Sequence, residues 1–326
     1  MKITVLGAGA WGTALARMLA QRKHDVTVWD FFPETLEAIQ HTGRNERYLP
    51  GIELPAGLQV QADAPKAVES AELVVVASVS KGFRAVTKHL ADFGGVVVSV
   101  TKGIEYETGL TMSGVLEVNA PRAQVVAMSG PTLALEVARG VPTAIVAASK
   151  DLAAAQAIQS LFHSPAFRVY TSTDVPGVEL GGALKNVIAI AAGVCDGLGF
   201  GDNSKAALVT RAIAEMRRLG VACGAQPETF AGLSGMGDLM VTCFSRLSRN
   251  RGFGERLGKG GKAEAIVSSM TAVAEGYPTA RSAHELGRKH KVVTPIIAEV
   301  YAMLHEGKDV REAVQDLTAR VSKAED

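Results

Sequence analysis

Two lysines and an aspartate hold the side chains best suited to moving a proton. Lys185 lies in the run from Gly181 to Val194, which is apolar on nearly every face apart from Lys185 and Asn186, so the helix it forms must be buried. Burial lowers the pKa of an ammonium toward neutrality, which makes Lys185 a candidate general acid/base. The alternative is a lysine that snorkels from the helix start into solvent. Lys102 follows Val98-Ser99-Val100-Thr101, just past the end of an expected strand, on the edge where ligands bind in parallel sheets. A solvated loop lysine is the plainer reading. Near one carbonyl, two such lysines would make a coherent pair: one donates the proton and the other stabilises negative charge developing on oxygen. Asp238, in the Gly-rich turn Ser234-Gly235-Met236-Gly237-Asp238-Leu239, either caps a helix or orients Lys185 by charge pairing. Thr242, four residues on, would share its helical face.

Two further segments suit anions. Ser248-Arg249-Asn250-Arg251, set among Gly252, Gly254 and Gly258, combines guanidinium forks, an amide and exposed backbone N–H groups, which suits a phosphate; a basic turn facing solvent is the alternative. Gly7-Ala8-Gly9-Ala10-Trp11-Gly12 joins the apolar run Ile3–Leu6 to the helical run that starts at Thr13, the strand–loop–helix context of a G-x-G-x-x-G dinucleotide loop. Gly7 would permit the tight turn, Gly9 the close approach of a pyrophosphate and Gly12 close helix–strand packing. Asp30 closes a second strand, Val26–Trp29, where a carboxylate can accept hydrogen bonds from the ribose hydroxyls. A glycine turn that binds nothing is the competing reading. Histidines such as His41, His163 and His284 lack metal-ligand spacing, and Cys195, Cys223 and Cys243 read as free thiols.

The elements that must position these residues fall into two halves. At 326 residues the chain exceeds the roughly 250–300 at which one core stops growing, so two domains are expected. Down to about residue 170, apolar runs (Leu73–Val76, Val96–Val100, Gln124–Met128, Ala144–Ala147) alternate with helical segments. Strands that are apolar throughout are covered on both faces, so the fold class is α/β: a Rossmann-like, doubly wound, mostly parallel sheet. The turn-forming stretch Thr171–Gly177 ends it, and helical patterns follow. The expected division is a dinucleotide-binding domain over 1–178 and an all-α substrate and catalytic domain over 179–326. Thirty-four basic side chains nearly cancel 33 acidic ones, so no global field argues for nucleic acid or a membrane surface. Apolar stretches fall short of the roughly 20 residues of a spanning helix, and a strand from residue 2 leaves no room for an export signal. No membrane insertion and a cytoplasmic location are expected.

With those residues in place, the chain resembles the bacterial NAD(P)-dependent glycerol-3-phosphate dehydrogenases nearly end to end. The glycine loop, Thr101–Glu105, Ser129–Thr132, Leu180–Ile190, Gly235–Leu239, Ser248–Arg251 and Glu275–Tyr277 occur in the family's order. The resemblance implies reduction of dihydroxyacetone phosphate to sn-glycerol 3-phosphate for phospholipid synthesis, by a homodimer, with Lys185 as proton donor and acceptor. It implies that Lys102 touches both cofactor and substrate, that Gly130, Thr132, Asp238, Ser248, Arg249 and Asn250 meet substrate, and that Ala134, Arg249, Val273 and Glu275 lie against the dinucleotide beside Gly7, Gly9, Ala10, Trp11, Gly12 and Asp30. One departure bears on the cofactor. NADPH-using members often carry a basic residue just after the second strand, whereas Phe31 and Phe32 follow Asp30 here. A carboxylate repels a 2′-phosphate, so NADH is expected to be preferred. A sibling hydroxyacid dehydrogenase and a dinucleotide sensor without turnover are the rivals.

Overall fold

Every residue of the run Leu73–Val76 is buried, and the run divides its side chains between two cores: Leu73 and Val75 pack on one side, Val74 and Val76 on the other. That is the signature of a strand covered on both faces. The computed structural model describes residues 1–270, 272–321 and 324. In it, β1 (Lys2–Leu6), β2 (Asp25–Trp29), β3 (Gln59–Val60), β4 (Leu73–Val76), β5 (Val96–Ser99), β6 (Gln124–Ser129), β7 (Thr143–Ala148) and β8 (Phe167–Ser172) form one sheet. Their order is β3-β2-β1-β4-β5-β6-β7-β8. The first six run parallel, β7 pairs with β6 antiparallel with Ala127 opposite Ala148, and β8 runs parallel to β7. The ends of β1, β4, β5 and β6 therefore bring Gly7, Ala77, Lys102 and Gly130 to a common edge.

Two strands escape the sequence pattern for a physical reason. β8 buries Phe167 and Val169 but exposes Arg168 and Tyr170, so this edge strand alternates instead of forming an apolar run. β3 has only two residues.

The second half is helical, as expected, and wraps one central helix, Val175–Gly197. Asp174 starts it by accepting from the Gly177 N–H at 3.1 Å, and Pro176 sits in its first turn, where a missing N–H costs nothing. The anticipated division after residue 178 falls inside that first turn. This helix is long and apolar enough to cross a membrane, but 94% of its most apolar window is buried within the protein, so its apolar character serves the core.

The segment after Ser248 departs from expectation. It is a helix, Arg249–Gly258, capped by the Ser248 hydroxyl, which accepts from the Arg251 N–H at 3.2 Å. The backbone N–H groups of Arg251 and Gly252 are therefore spent, that of Gly252 donating to the Ser248 carbonyl at 2.9 Å. Its glycines permit a close helix crossing. A Cβ on Gly254 would lie 1.9 Å from the Ile190 carbonyl oxygen, and one on Gly193 would lie 2.0 Å from that of Arg251.

Candidate active site

Lys185 leaves the central helix with 6% of its surface exposed, so it does not snorkel. Its Nζ donates to Asp238 Oδ1 at 2.6 Å and to Thr242 Oγ1 at 2.7 Å. From the sheet edge, Lys102 Nζ donates to Asp238 Oδ2 at 2.6 Å, to the Gly130 carbonyl at 2.9 Å and to Thr132 Oγ1 at 3.2 Å. One buried carboxylate thus receives an ammonium from each half of the chain. Desolvation lowers the Lys185 pKa to about 8; Lys102 adds to the shift while Asp238 opposes it. The result is an amine that holds a proton at neutral pH yet releases it readily.

Local sequence explains this convergence. Gly181 and Gly182 let the central helix approach both partners: a Cβ on Gly181 would lie 2.5 Å from the Ser234 carbonyl oxygen, and one on Gly182 would lie 2.3 Å from Ser129 Oγ and 3.4 Å from Lys102 Cγ. The π-helical turn Leu233–Gly237 delivers Asp238 to the start of the helix Asp238–Phe244. Asp238 gives that helix no side-chain cap; its oxygens are taken up by the lysines.

The glycine loop has the shape a pyrophosphate requires. Gly7 adopts φ +118, and a Cβ there would lie 2.8 Å from the Ala77 backbone; one on Gly12 would lie 1.9 Å from the Gly7 oxygen. Around Gly9 there is open space to 4 Å, and the helix Ala10–Gln21 that it begins has no side-chain cap, leaving N–H groups and the positive end of the helix for an anion. Asp30 Oδ2 accepts from the Ala8 N–H at 2.5 Å and Oδ1 from the Phe32 N–H at 2.9 Å. Asn45, which nothing in the sequence marked, donates from Nδ2 to the Ala8 carbonyl at 2.7 Å and to Thr13 Oγ1 at 2.8 Å. Half-buried Ala10 and Trp11 open the helix, and Ala134 packs against the same small apolar cluster as Trp11. These features fit a dinucleotide.

The remaining anticipated residues divide. Glu275 accepts from the Ser80 N–H at 2.9 Å and from Ser80 Oγ at 2.5 Å, fastening the helical half to the start of the helix Ser80–Thr87. Burial pushes its carboxyl upward, against the pull of Ser80 and Arg249. Ser80 too was unmarked in the sequence. Arg249 is open to water, yet protein surrounds it closely enough to lower its pKa against the opposing charge of Glu275. Val273 is 45% exposed. Asn250 is buried and turns inward, donating to Asn186 Oδ1 at 2.9 Å and accepting from the Gly276 N–H at 2.9 Å. Arg251 pairs with Asp196 at 2.6 Å. The expected run of phosphate ligands therefore contains two residues, Ser248 and Asn250, whose hydrogen bonds shape the wall, beside one, Arg249, with an open guanidinium. The cysteines are free thiols, and burial pushes that of Cys243 to about 12, so it is protonated at neutral pH.

A glycine loop on a mostly parallel sheet, and a carboxylate shared by one lysine from the sheet edge and one from the central helix of the helical half, define a two-part, dinucleotide-dependent dehydrogenase. Family models described as the N-terminus and C-terminus of NAD-dependent glycerol-3-phosphate dehydrogenase match residues 2–155 and 174–315. The protein called "Glycerol-3-phosphate dehydrogenase [NAD(P)+]" from Geobacter sulfurreducens is 50% identical over 99% of this chain and 98% of its own length. Its namesake from Chlorobium phaeobacteroides is 48% identical over 100% and 99%. The crystal structure of glycerol-3-phosphate dehydrogenase from Coxiella burnetii superposes with a TM-score of 0.95 at 35% identity, covering 98% of this chain and 99% of that one. The chain belongs to the NAD-dependent glycerol-3-phosphate dehydrogenase family.

Proposed function

We infer that the protein interconverts dihydroxyacetone phosphate and sn-glycerol 3-phosphate with NAD(P)H. The observation that carries this reading is the Asp238 carboxylate held between Lys185 and Lys102 at 2.6 Å each, at the sheet edge where the glycine loop ends. Bound NADH or NADPH supplies the hydride to the C2 carbonyl. Lys185 donates the proton to the carbonyl oxygen and takes it back in the reverse direction; a pKa of about 8 suits both. Lys102 stabilises the negative charge that gathers on that oxygen. Asp238 and Thr242 orient the Lys185 ammonium.

In this reading Gly130 and Thr132 flank the substrate, and Ser248 and Asn250 shape the wall of its phosphate site, where Arg249 is the direct ion-pairing group. Gly7, Gly9, Ala10, Trp11, Gly12 and Asp30 hold the adenosine diphosphate portion, with Lys102, Ala134, Arg249, Val273 and Glu275 along the rest of the dinucleotide. Residues 1–178 bind the dinucleotide and 179–326 complete the catalytic site. A preference for NADH follows from Asp30, and a cytoplasmic homodimer supplying phospholipid synthesis completes the reading. Mixing the protein with NADH and dihydroxyacetone phosphate tests it: absorbance at the reduced nicotinamide band should fall. Cofactor that stays reduced, with NADH and NADPH alike, overturns the enzyme in favour of a sensor.

A further inference from the structure

The cationic group that a 2′-phosphate needs is missing directly after β2, where Phe31 and Phe32 stand. A different residue reaches the same place. Ala8 in the glycine loop is gripped on two sides, its N–H by Asp30 and its carbonyl by Asn45, so the segment that follows Asn45 lies beside the acidic end of β2. Arg47, two residues on, places its guanidinium 5.9 Å from the centre of the Phe32 ring and 5.2 Å from that of Tyr48. Two aromatic faces restrict a long side chain that would otherwise sample many rotamers. Among the described residues its one ion pair is with Glu34, at 3.3 Å, between side chains 46% and 59% exposed, a weak contact that a phosphate can replace. The neighbouring Arg44 is already held by Glu53 at 2.6 Å and by Glu46 at 3.6 Å.

We propose that Arg47 binds the 2′-phosphate of NADPH and so sets how far the enzyme accepts NADPH beside NADH. The assignment rests on the dinucleotide site argued above. Asp30 closes β2 with both oxygens engaged by backbone N–H groups, and Arg47 supplies the opposite charge as a planar fork matched to phosphate oxygens. The enzyme then discriminates against NADPH without excluding it.

Calorimetric titration with adenosine 2′,5′-bisphosphate and with adenosine 5′-monophosphate, which differ by that phosphate alone, tests the proposal in the wild type, Arg47→Ala and Arg47→Lys. Arg47→Ala should weaken the bisphosphate about tenfold relative to the monophosphate, at the low end for a charge-assisted hydrogen bond, and should lower the ratio of kcat/KM for NADPH to that for NADH to match. Arg47→Lys, with charge but no fork, should fall between. Equal weakening of both nucleotides, or none of either, overturns the role of Arg47 while leaving the dinucleotide site standing. A wild type that binds neither nucleotide refutes the site itself, and the assignment with it.

Discussion

Asp238→Asn probes the arrangement most sharply, because one substitution of nearly equal volume removes the charge that two ammoniums share. In the wild type Lys185 stays near 8 because Asp238 offsets part of the cost of burial. A unit-charge contact at the observed 2.6 Å is worth about 6 kcal/mol at an effective dielectric of about 20. Part of that is returned by the amide oxygen and by Thr242, which still accepts from Lys185, so a conservative expectation is a further fall of about one pKa unit, or about 1.4 kcal/mol. Lys185 must be protonated to donate. At about pH 6 it is so in both proteins, whereas near pH 8 the protonated fraction falls from about one half to about one tenth. The rate deficit of the variant in dihydroxyacetone phosphate reduction should therefore deepen about fivefold between those pH values, with the alkaline limb of kcat moved toward acid. The assay is NADH oxidation across that range at saturating substrates. A deficit independent of pH, or an alkaline limb moved upward, would refute the electrostatic coupling of Asp238 to Lys185.

Other perturbations read the fold. Gly254→Ala places a methyl 1.9 Å from the Ile190 carbonyl oxygen and should cost about 3 kcal/mol or more of unfolding free energy, while Gly252→Ala, with nothing within 4 Å, should be neutral or stabilising by up to about 1 kcal/mol; urea unfolding of the two would contradict the packing argument if their order were reversed. Glu215 accepts from the Ile296 and Ile297 N–H groups, and burial raises its pKa from 4.5 to about 7. The folded state therefore holds that proton longer than the unfolded chain, and stability falls as pH rises through this window, by up to about 3 kcal/mol. Glu215→Gln should remove that part of the slope, and a difference between variant and wild type that is the same at about pH 5 and about pH 8 would contradict it.

The parts of this protein legible in its sequence are those whose chemistry is written locally. Gly7 to Gly12 and Asp30 read correctly as strand, loop, helix and acid because the turn demands glycine and the strands are apolar on both faces. Lys185 is legible in its sequence to a large extent: its apolar surroundings set burial against snorkelling, and Asp238, 53 residues away, already stands out as a candidate charge partner, whereas only folding shows that the same carboxylate also takes Lys102. Ser80 and Asn45 carried no signal, since their bonds to Glu275 and Ala8 span 195 and 37 residues and their immediate neighbours are ordinary. The helix after Ser248 was misread because glycine disfavours helices; the close crossing with Ile190 and Val194 outweighs that preference, and a Cβ at Gly258 would lie 2.7 Å from the Val194 carbonyl oxygen.

The proton donor is the centre of the account, and Lys185→Ala tests it most directly when turnover and NADH affinity are measured on the same preparation. The buried amine should prove indispensable to chemistry while the glycine loop keeps its ligand: kcat for dihydroxyacetone phosphate reduction should drop by about a hundredfold or more, with the dissociation constant for NADH nearly unchanged. Turnover close to that of the wild type would contradict the assignment.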